Sequence, residues 1–97
     1  MKQAINICGI PHEILEVEDN FSSDSVHFGE IEYKECIIKL NKDMPQAMKH
    51  ETLCHEVLHG ILVHIGREDL PQDESFVQAL GNAIAQSFTA DVTLKGE

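Results

Sequence analysis

The sequence has no tryptophan, one tyrosine, three cysteines and only seven lysine or arginine residues in 97. These few cations stand against 17 acidic residues, and the formal charge of -10 repels phosphate backbones and anionic lipid headgroups, so direct nucleic-acid binding is not expected. Cys8, Cys36 and Cys54 are odd in number and lack paired spacing, which predicts free thiols in a reducing compartment. We expect Cys8 and Cys36 to pack in strands and Cys54 in a helix.

Long apolar runs are also missing. No segment approaches the roughly 20 apolar residues of a membrane span, and the first residues lack a signal-peptide pattern, so a cytoplasmic location is expected. A chain of 97 residues, 42% of them hydrophobic, is long enough for one compact domain and too short for two. We therefore predict a single domain over residues 1–97 with one functional site.

The first half of the chain has the pattern of β-strands and the second half that of helices. The strands are predicted near residues 4–8, 13–17, 26–32 and 36–40. A polar connector is predicted at 20–24, and Tyr33 to Glu35 form the turn between the last two strands. Three or four strands in an antiparallel or mixed sheet, packed on two helices, make an α+β fold.

The first helix is predicted over about residues 44–65. Asp43 or Pro45 suits its start, and Gly66 suits its end. The second helix is predicted over about residues 72–88, where Gly81 allows close packing. The tail at 90–97 has weak periodicity and is expected to fray.

The first helix carries the motif His55-Glu56-Val57-Leu58-His59. Four-residue spacing on a helix places the two imidazoles on one face, one turn apart, where both can bind one ion. Imidazole nitrogen is a good Zn²⁺ ligand, and the neighbouring Glu56 can take a proton from a water molecule activated by the metal. The motif therefore predicts one zinc ion on His55 and His59, with Glu56 as the catalytic residue.

Other polar residues are less well placed for this role. His64 lies about 140° around the helix from His59, and His50 lies on the apolar side, where packing or capping is expected. His12 and His27 are predicted in or beside exposed polar strands. One of them is a candidate to border the cleft and stabilise a developing oxyanion. Tyr33 suits a turn and is also a candidate for polarising a carbonyl group.

Residues 52–61 resemble the extended signature of the zincin superfamily of zinc peptidases. The metzincin branch would require glycine and histidine where this chain has Leu62 and Ile65. The gluzincin branch takes a glutamate from a following helix, and the resemblance implies that Glu74 is the third ligand. Asp73 is the alternative, and either acid would also suit the positive end of a helix dipole.

The order of strands, motif helix and glutamate-bearing helix is similar to short prophage-associated members of the ImmA/IrrE metallopeptidase family. This resemblance implies a minimal zincin core that hydrolyses a peptide bond in a regulatory protein partner, often a repressor. An exposed edge strand, at 29–32 or 36–40, would hold the substrate by adding it to the sheet.

Two alternatives remain open from the sequence. The first is an inactive, metal-stabilised binding module, such as a phage inhibitor or adaptor. In such a module four protein ligands would fill the coordination sphere of the metal. The second is a metal-free domain in which the histidines are incidental.

Overall fold

The computed structural model describes residues 3–18, 28–67, 69 and 73–88. Its elements are β1 (Gln3–Ile7), β2 (Ile10–Val17), β3 (Gly29–Glu32), β4 (Ile37–Asn41), α1 (Gln46–His64) and α2 (Glu74–Ser87). They form the α+β fold that the sequence predicts. The predicted connector at 20–24, His27 and the tail at 90–97 lie outside the described residues. Neither of the two described helices is long and apolar enough to cross a membrane.

The four strands form one mixed sheet in the order β1-β2-β4-β3. β1 pairs antiparallel with β2 and β3 with β4, whereas β2 and β4 run parallel. β4 is therefore an interior strand, which explains its nearly continuous apolar run and the complete burial of Ile38 and Leu40. Of the two segments predicted as a substrate-binding edge, 29–32 lies at the edge of the sheet, and the prediction for 36–40 is wrong.

α1 lies between the sheet and α2 and contributes to two apolar clusters. The cluster on the sheet side contains Leu53 together with Ile7, Ile14, Ile38 and Leu40. The cluster on the other side contains Leu58, Leu62 and Val77 of α2. The apolar arc of α1 is thus shared between two neighbours, and both fix the orientation of this helix.

The ends of α1 only partly follow the prediction. Gly66 has φ +83°, and the amide of Arg67 donates to the carbonyl of Leu62, a C-terminal arrangement that confirms the predicted stop. At the other end Pro45 precedes the first helical residue, and no side chain caps the helix. The expected capping by Asp43 is therefore wrong: its backbone amide donates to the side chain of Asn41 within the preceding turn.

His12 was expected on an exposed strand but is completely buried. β2 is an interior strand, and its His12 side faces α1, where the imidazole meets the ring of His64 edge-on at 5.8 Å between centroids. The His12 Nδ1 lies 2.9 Å from the carbonyl oxygen of Ile10. This histidine belongs to the contact between helix and sheet.

The cysteines are free thiols, as expected, but two of them are not in strands. Cys8 and Cys36 occupy turns with φ values of 53° and 57°. Their predicted packing within strands is wrong, because each lies where the chain reverses between antiparallel strands. Cys54 is half-buried in α1, as predicted.

A buried ion pair joins α1 to the sheet. Lys49, in the first turn of α1, is completely buried, and its ammonium group lies against the carboxylate of Glu16 on β2, which is itself nearly buried. Charged hydrogen bonds of this kind hold two elements in one register, although the removal of both charges from water offsets much of the attraction.

We predict that Lys49→Met will lower the free energy of unfolding by about 3–5 kcal/mol, because it leaves the Glu16 carboxylate buried without its ammonium partner. The double variant Lys49→Met/Glu16→Leu should recover most of this loss, since neither charge of the pair remains. Urea denaturation of the wild type and the variants measures both changes. A double variant no more stable than Lys49→Met would contradict this account.

Candidate metal centre

His55 and His59 point the same way from consecutive turns of α1, as their spacing predicts. Their Nε2 atoms lie 3.1 Å apart. Glu74, the first residue of α2, places its Oε1 3.4 Å from the Nε2 of His55 and its Oε2 3.5 Å from the Nε2 of His59. In the part of the chain that the structure describes, these three residues form the group of His, Cys, Asp and Glu donors that could hold a metal ion.

The separations agree with the geometry of a shared metal ion. Donor atoms bound at about 2.0–2.2 Å to one tetrahedral ion lie about 3.3–3.6 Å from one another. The observed values of 3.1, 3.4 and 3.5 Å fall at or near this range. Two imidazoles and one carboxylate also supply the nitrogen and oxygen donors that borderline divalent cations prefer. The three residues therefore fit a metal ion.

Asp73 and Glu74 have separate roles at the start of α2. The Asp73 carboxylate accepts a hydrogen bond from the amide of Phe76 at 3.1 Å and so caps the helix. This bond holds Asp73 away from the histidines and begins the helix at Glu74. The structure thus brings Glu74, and not the alternative Asp73, to the candidate site.

α2 packs along α1 in the opposite direction. Glu74 lies beside His59, and Gly81 lies beside His55. Farther along, the Nε2 of His50 lies 3.2 and 3.1 Å from the carbonyl oxygens of Ala85 and Phe88. His50 therefore satisfies carbonyl groups at the end of α2, in agreement with its predicted packing or capping role.

Gly81 is where the two helices approach most closely beside the site. A Cβ atom built on Gly81 would lie 3.4 Å from the Cα and 3.6 Å from the backbone nitrogen of His55. A methyl group just fits, whereas a longer side chain would have to displace the backbone of α1. The absence of a side chain at Gly81 therefore sets the distance at which Glu74 reaches the histidines, as the sequence suggested.

Glu56 lies next to this group but is not one of the clustered donors. A cavity of about 420 Å³ opens over the site and is lined by Gly29, Glu30, Ile31, Tyr33, His55, Glu56, His59 and Glu74. Burial, followed by the charges of Glu74 and Glu30, raises the pKa of Glu56 from 4.5 to about 7. A carboxyl group with such a pKa can both take up and release a proton near neutral pH.

Burial favours the neutral form of His55. Burial, with a smaller contribution from His59, lowers the pKa of His55, although the nearby Glu74 acts in the opposite direction. A neutral imidazole is the form that binds a metal. The second ring nitrogen of His55, Nδ1, is buried and has no hydrogen-bond partner among the residues described. The nitrogen of His55 that faces His59 and Glu74 is therefore Nε2 and not Nδ1.

Tyr33 and Glu30 also line the cavity, and the sequence did not determine that either of them would lie beside the candidate ligands. Tyr33 follows β3 in a turn, as predicted, but it also borders the cavity, and burial together with Glu56 and Glu74 raises the pKa of its phenol. Glu30 lies on the edge strand, with its carboxylate 4.0 Å from the ammonium group of Lys39. No local sequence pattern marks Glu30, because its place depends on how β3 packs beside α1.

The expectation that His64 is not a ligand is consistent with this geometry. His64 is exposed at the end of α1 and is not part of the clustered donors. A scan against protein-family models gave no match, and searches of curated proteins and of solved structures gave none either. A function is therefore inferred from the residues of the site.

We predict that Gly81→Leu will weaken Zn²⁺ binding by at least about tenfold, because the added side chain pushes α2, and Glu74 with it, away from the histidines. Gly81→Ala is the matched control, since its methyl group makes only ordinary contact and favours the helix. Competition with a chelating dye measures the affinity. Equal affinities for the two variants would show that the helix separation does not control the site.

We predict that metal-free Glu56→Gln will be more stable than the wild type at pH 8, by up to about 3 kcal/mol, but not at pH 4.5. The folded-state pKa of about 7 lies above the ordinary 4.5, so the wild type loses stability as the pH rises between these values. The variant has no group to ionise. Urea denaturation in the presence of a chelator, at several pH values, tests this. A stability difference that did not change with pH would contradict the raised pKa.

Proposed function

We propose that this protein is a zinc-dependent metallopeptidase that hydrolyses a peptide bond in a specific protein partner. The observation that carries the proposal is the cluster of His55, His59 and Glu74 with the separate, buried carboxyl group of Glu56 beside it. Two histidines and a glutamate, with a further position left for water or substrate, are a ligand set of catalytic zinc in peptidases. The likeness to the ImmA/IrrE family supports a regulatory protein, such as a repressor, as the substrate.

Glu56 is placed to act as the general base. When bound, zinc would supply a Lewis acid that polarises the scissile carbonyl and lowers the pKa of a water molecule. Glu56 takes the proton of the attacking water, and it can then deliver a proton to the amine that leaves. A nearby divalent cation favours the ionised carboxylate, so bound zinc would lower the pKa of Glu56 from about 7 in the metal-free site.

Tyr33 is placed to assist the carbonyl oxygen. Its raised pKa keeps the phenol protonated at neutral pH, and its side chain borders the same cavity as Glu56. A phenol O–H can donate a hydrogen bond to the oxygen that becomes negative as the tetrahedral intermediate forms. This role follows the hypothesis that Tyr33 polarises a carbonyl group.

The edge strand β3 supplies a surface for an extended substrate. Gly29, Glu30 and Ile31 of this strand line the cavity together with Glu56. Among the described strands, β3 pairs with β4 alone, so backbone groups on its other side could bind a peptide that adds to the sheet. Such a peptide would run directly past the carboxyl group of Glu56.

The alternative of an inactive binding module has less support. A structural zinc site is closed by four protein ligands, and the described residues bring three donors together. A purely structural site also has no use for Glu56, whose burial destabilises its charged form. A catalytic role accounts for both features.

The proposal is tested by zinc content and hydrolysis measured on the same preparations. Wild-type protein should contain about one zinc per chain and cleave members of a synthetic peptide library, detected as new termini by mass spectrometry. Glu56→Gln should keep the zinc and lose cleavage, whereas Glu74→Ala should lose most of the zinc. Tyr33→Phe should keep the zinc and reduce kcat by about 10²-fold.

Asp73→Asn is the matched control for Glu74→Ala, because it removes the neighbouring acid and keeps a side chain that can cap α2. It should retain the zinc. Full cleavage by Glu56→Gln would exclude the proposed mechanism. Zinc-free wild-type protein, even after reconstitution, would exclude the enzyme altogether.

A further inference from the structure

A second cavity, of about 440 Å³, adjoins the metal centre on the side towards the start of α1. We call it the Glu51 pocket, and its lining residues are Phe28, Gly29, Met48, Glu51, Thr52, His55, Glu56 and Gln78. It shares Gly29, His55 and Glu56 with the cavity over the candidate ligands. The two cavities therefore form one trough along β3, and a side chain in the Glu51 pocket would belong to a residue close to the reacting bond. Its volume is in the range of small-ligand sites.

The walls of the Glu51 pocket combine apolar surface with the exposed carboxylate of Glu51, and the buried Glu56 lies where the pocket joins the first cavity. Phe28 is half exposed, and Met48, in the first turn of α1, is partly buried, and both present apolar surface to the pocket. The carbonyl of Phe28 accepts a hydrogen bond from the amide of Asn41, which anchors this wall to the end of β4. Glu51 lies one helical turn before His55 and is exposed to the same space.

In the described part of the chain, Glu51 has no lysine or arginine partner, unlike Glu16, Glu30 and Asp69. Lys39, Lys42, Lys49 and Arg67 each pair with acids elsewhere. Among the described residues, none makes an ion pair with Glu51. Its carboxylate therefore keeps an uncompensated negative charge in a protein whose formal charge is already -10.

These walls fit a long side chain with an apolar stem and a cationic end. Lysine and arginine bury their methylene groups against apolar surface and keep the charged group at a polar rim. Phe28 and Met48 would contact the stem, and Glu51 would accept hydrogen bonds from the ammonium or guanidinium group. A glutamate or aspartate would be repelled by Glu51, and a purely aliphatic side chain would gain nothing from it.

We propose that the Glu51 pocket is a specificity subsite for a lysine or arginine side chain next to the scissile bond, an inference that rests on the proposed function. The pocket selects by charge at one end and by apolar contact along its length. The substrate is then a protein segment with a basic residue beside the bond that is cleaved. The charge of the whole chain also attracts such a segment.

The test uses binding and does not depend on turnover. Zinc-loaded protein is titrated in a calorimeter with the N-acetyl hydroxamates of lysine, norleucine and glutamic acid, which carry the same metal-binding group and differ in the side chain. We expect the lysine compound to bind about fivefold more tightly than the norleucine compound, with the glutamic acid compound weakest. The preference for lysine should decrease as salt is added.

Variants connect the preference to Glu51. Glu51→Gln should remove the advantage of lysine, and Glu51→Lys should reverse the order in favour of glutamic acid. Asp43→Asn is the matched control, because it removes the same charge from an exposed position outside both cavities, and it should keep the wild-type order.

The outcomes separate the two proposals. Binding of all three compounds with equal affinity, or a lysine preference that survives in Glu51→Gln, would overturn the subsite and leave the open metal site in place. Failure of every hydroxamate to bind the zinc-loaded protein would overturn both, because the ion would then have no position for a substrate.

Discussion

The close contact between α2 and α1 at Gly81 and His55 is the constraint on which the site depends. Glu74 is seven residues before Gly81, two helical turns along α2, so the separation of the helices at Gly81 determines how far the Glu74 carboxylate reaches. The capping bond from Asp73 then determines where α2 begins. A glycine and a capping residue, neither of them a candidate ligand, together position one of the three candidate ligands.

This small domain buries several polar groups for its size. Lys49 is paired with Glu16 across the contact between helix and sheet, whereas Glu56 has its pKa raised and His12 retains a ring nitrogen with no partner among the described residues. Each of these groups opposes folding unless it is neutral or paired. The ion pair of Lys49 and Glu16 joins the helix to the sheet. The burial of Glu56 has no such structural role among the described residues, and the proposed proton transfer would account for it. A bound cation would relieve the unfavourable burial of Glu56 and add stability to a thin core.

Acidic residues surround the trough on several sides, and their roles differ with their surroundings. Glu74 points between two imidazoles, Glu56 is enclosed, and Glu30 is partly neutralised by Lys39. Glu51 lines the adjoining pocket and makes no ion pair among the described residues. In the proposed function, one residue type would provide a metal ligand, a base and a charged wall, because burial and neighbouring charges decide what each carboxyl group can do.

The amino-acid sequence by itself determined the α+β class, the two helices and the pairing of His55 with His59, since these follow from periodicity and local spacing along one chain segment. The end of α1 at Gly66 is equally local. Cys8 and His12 were misplaced, because turn conformation and strand order are set by partners far away in the sequence.

Tertiary structure decided the remaining features of the site. It brought Glu74, the ligand that the resemblance implied, and not Asp73 beside the histidines. It also placed Glu30 and Tyr33 at the first cavity and brought Phe28 and Glu51 into one pocket. These arrangements arise where β3, α1 and α2 meet, and no single segment contains the information for them. The physical reason is that a helix or strand specifies which side chains share a face, but only packing specifies what that face meets.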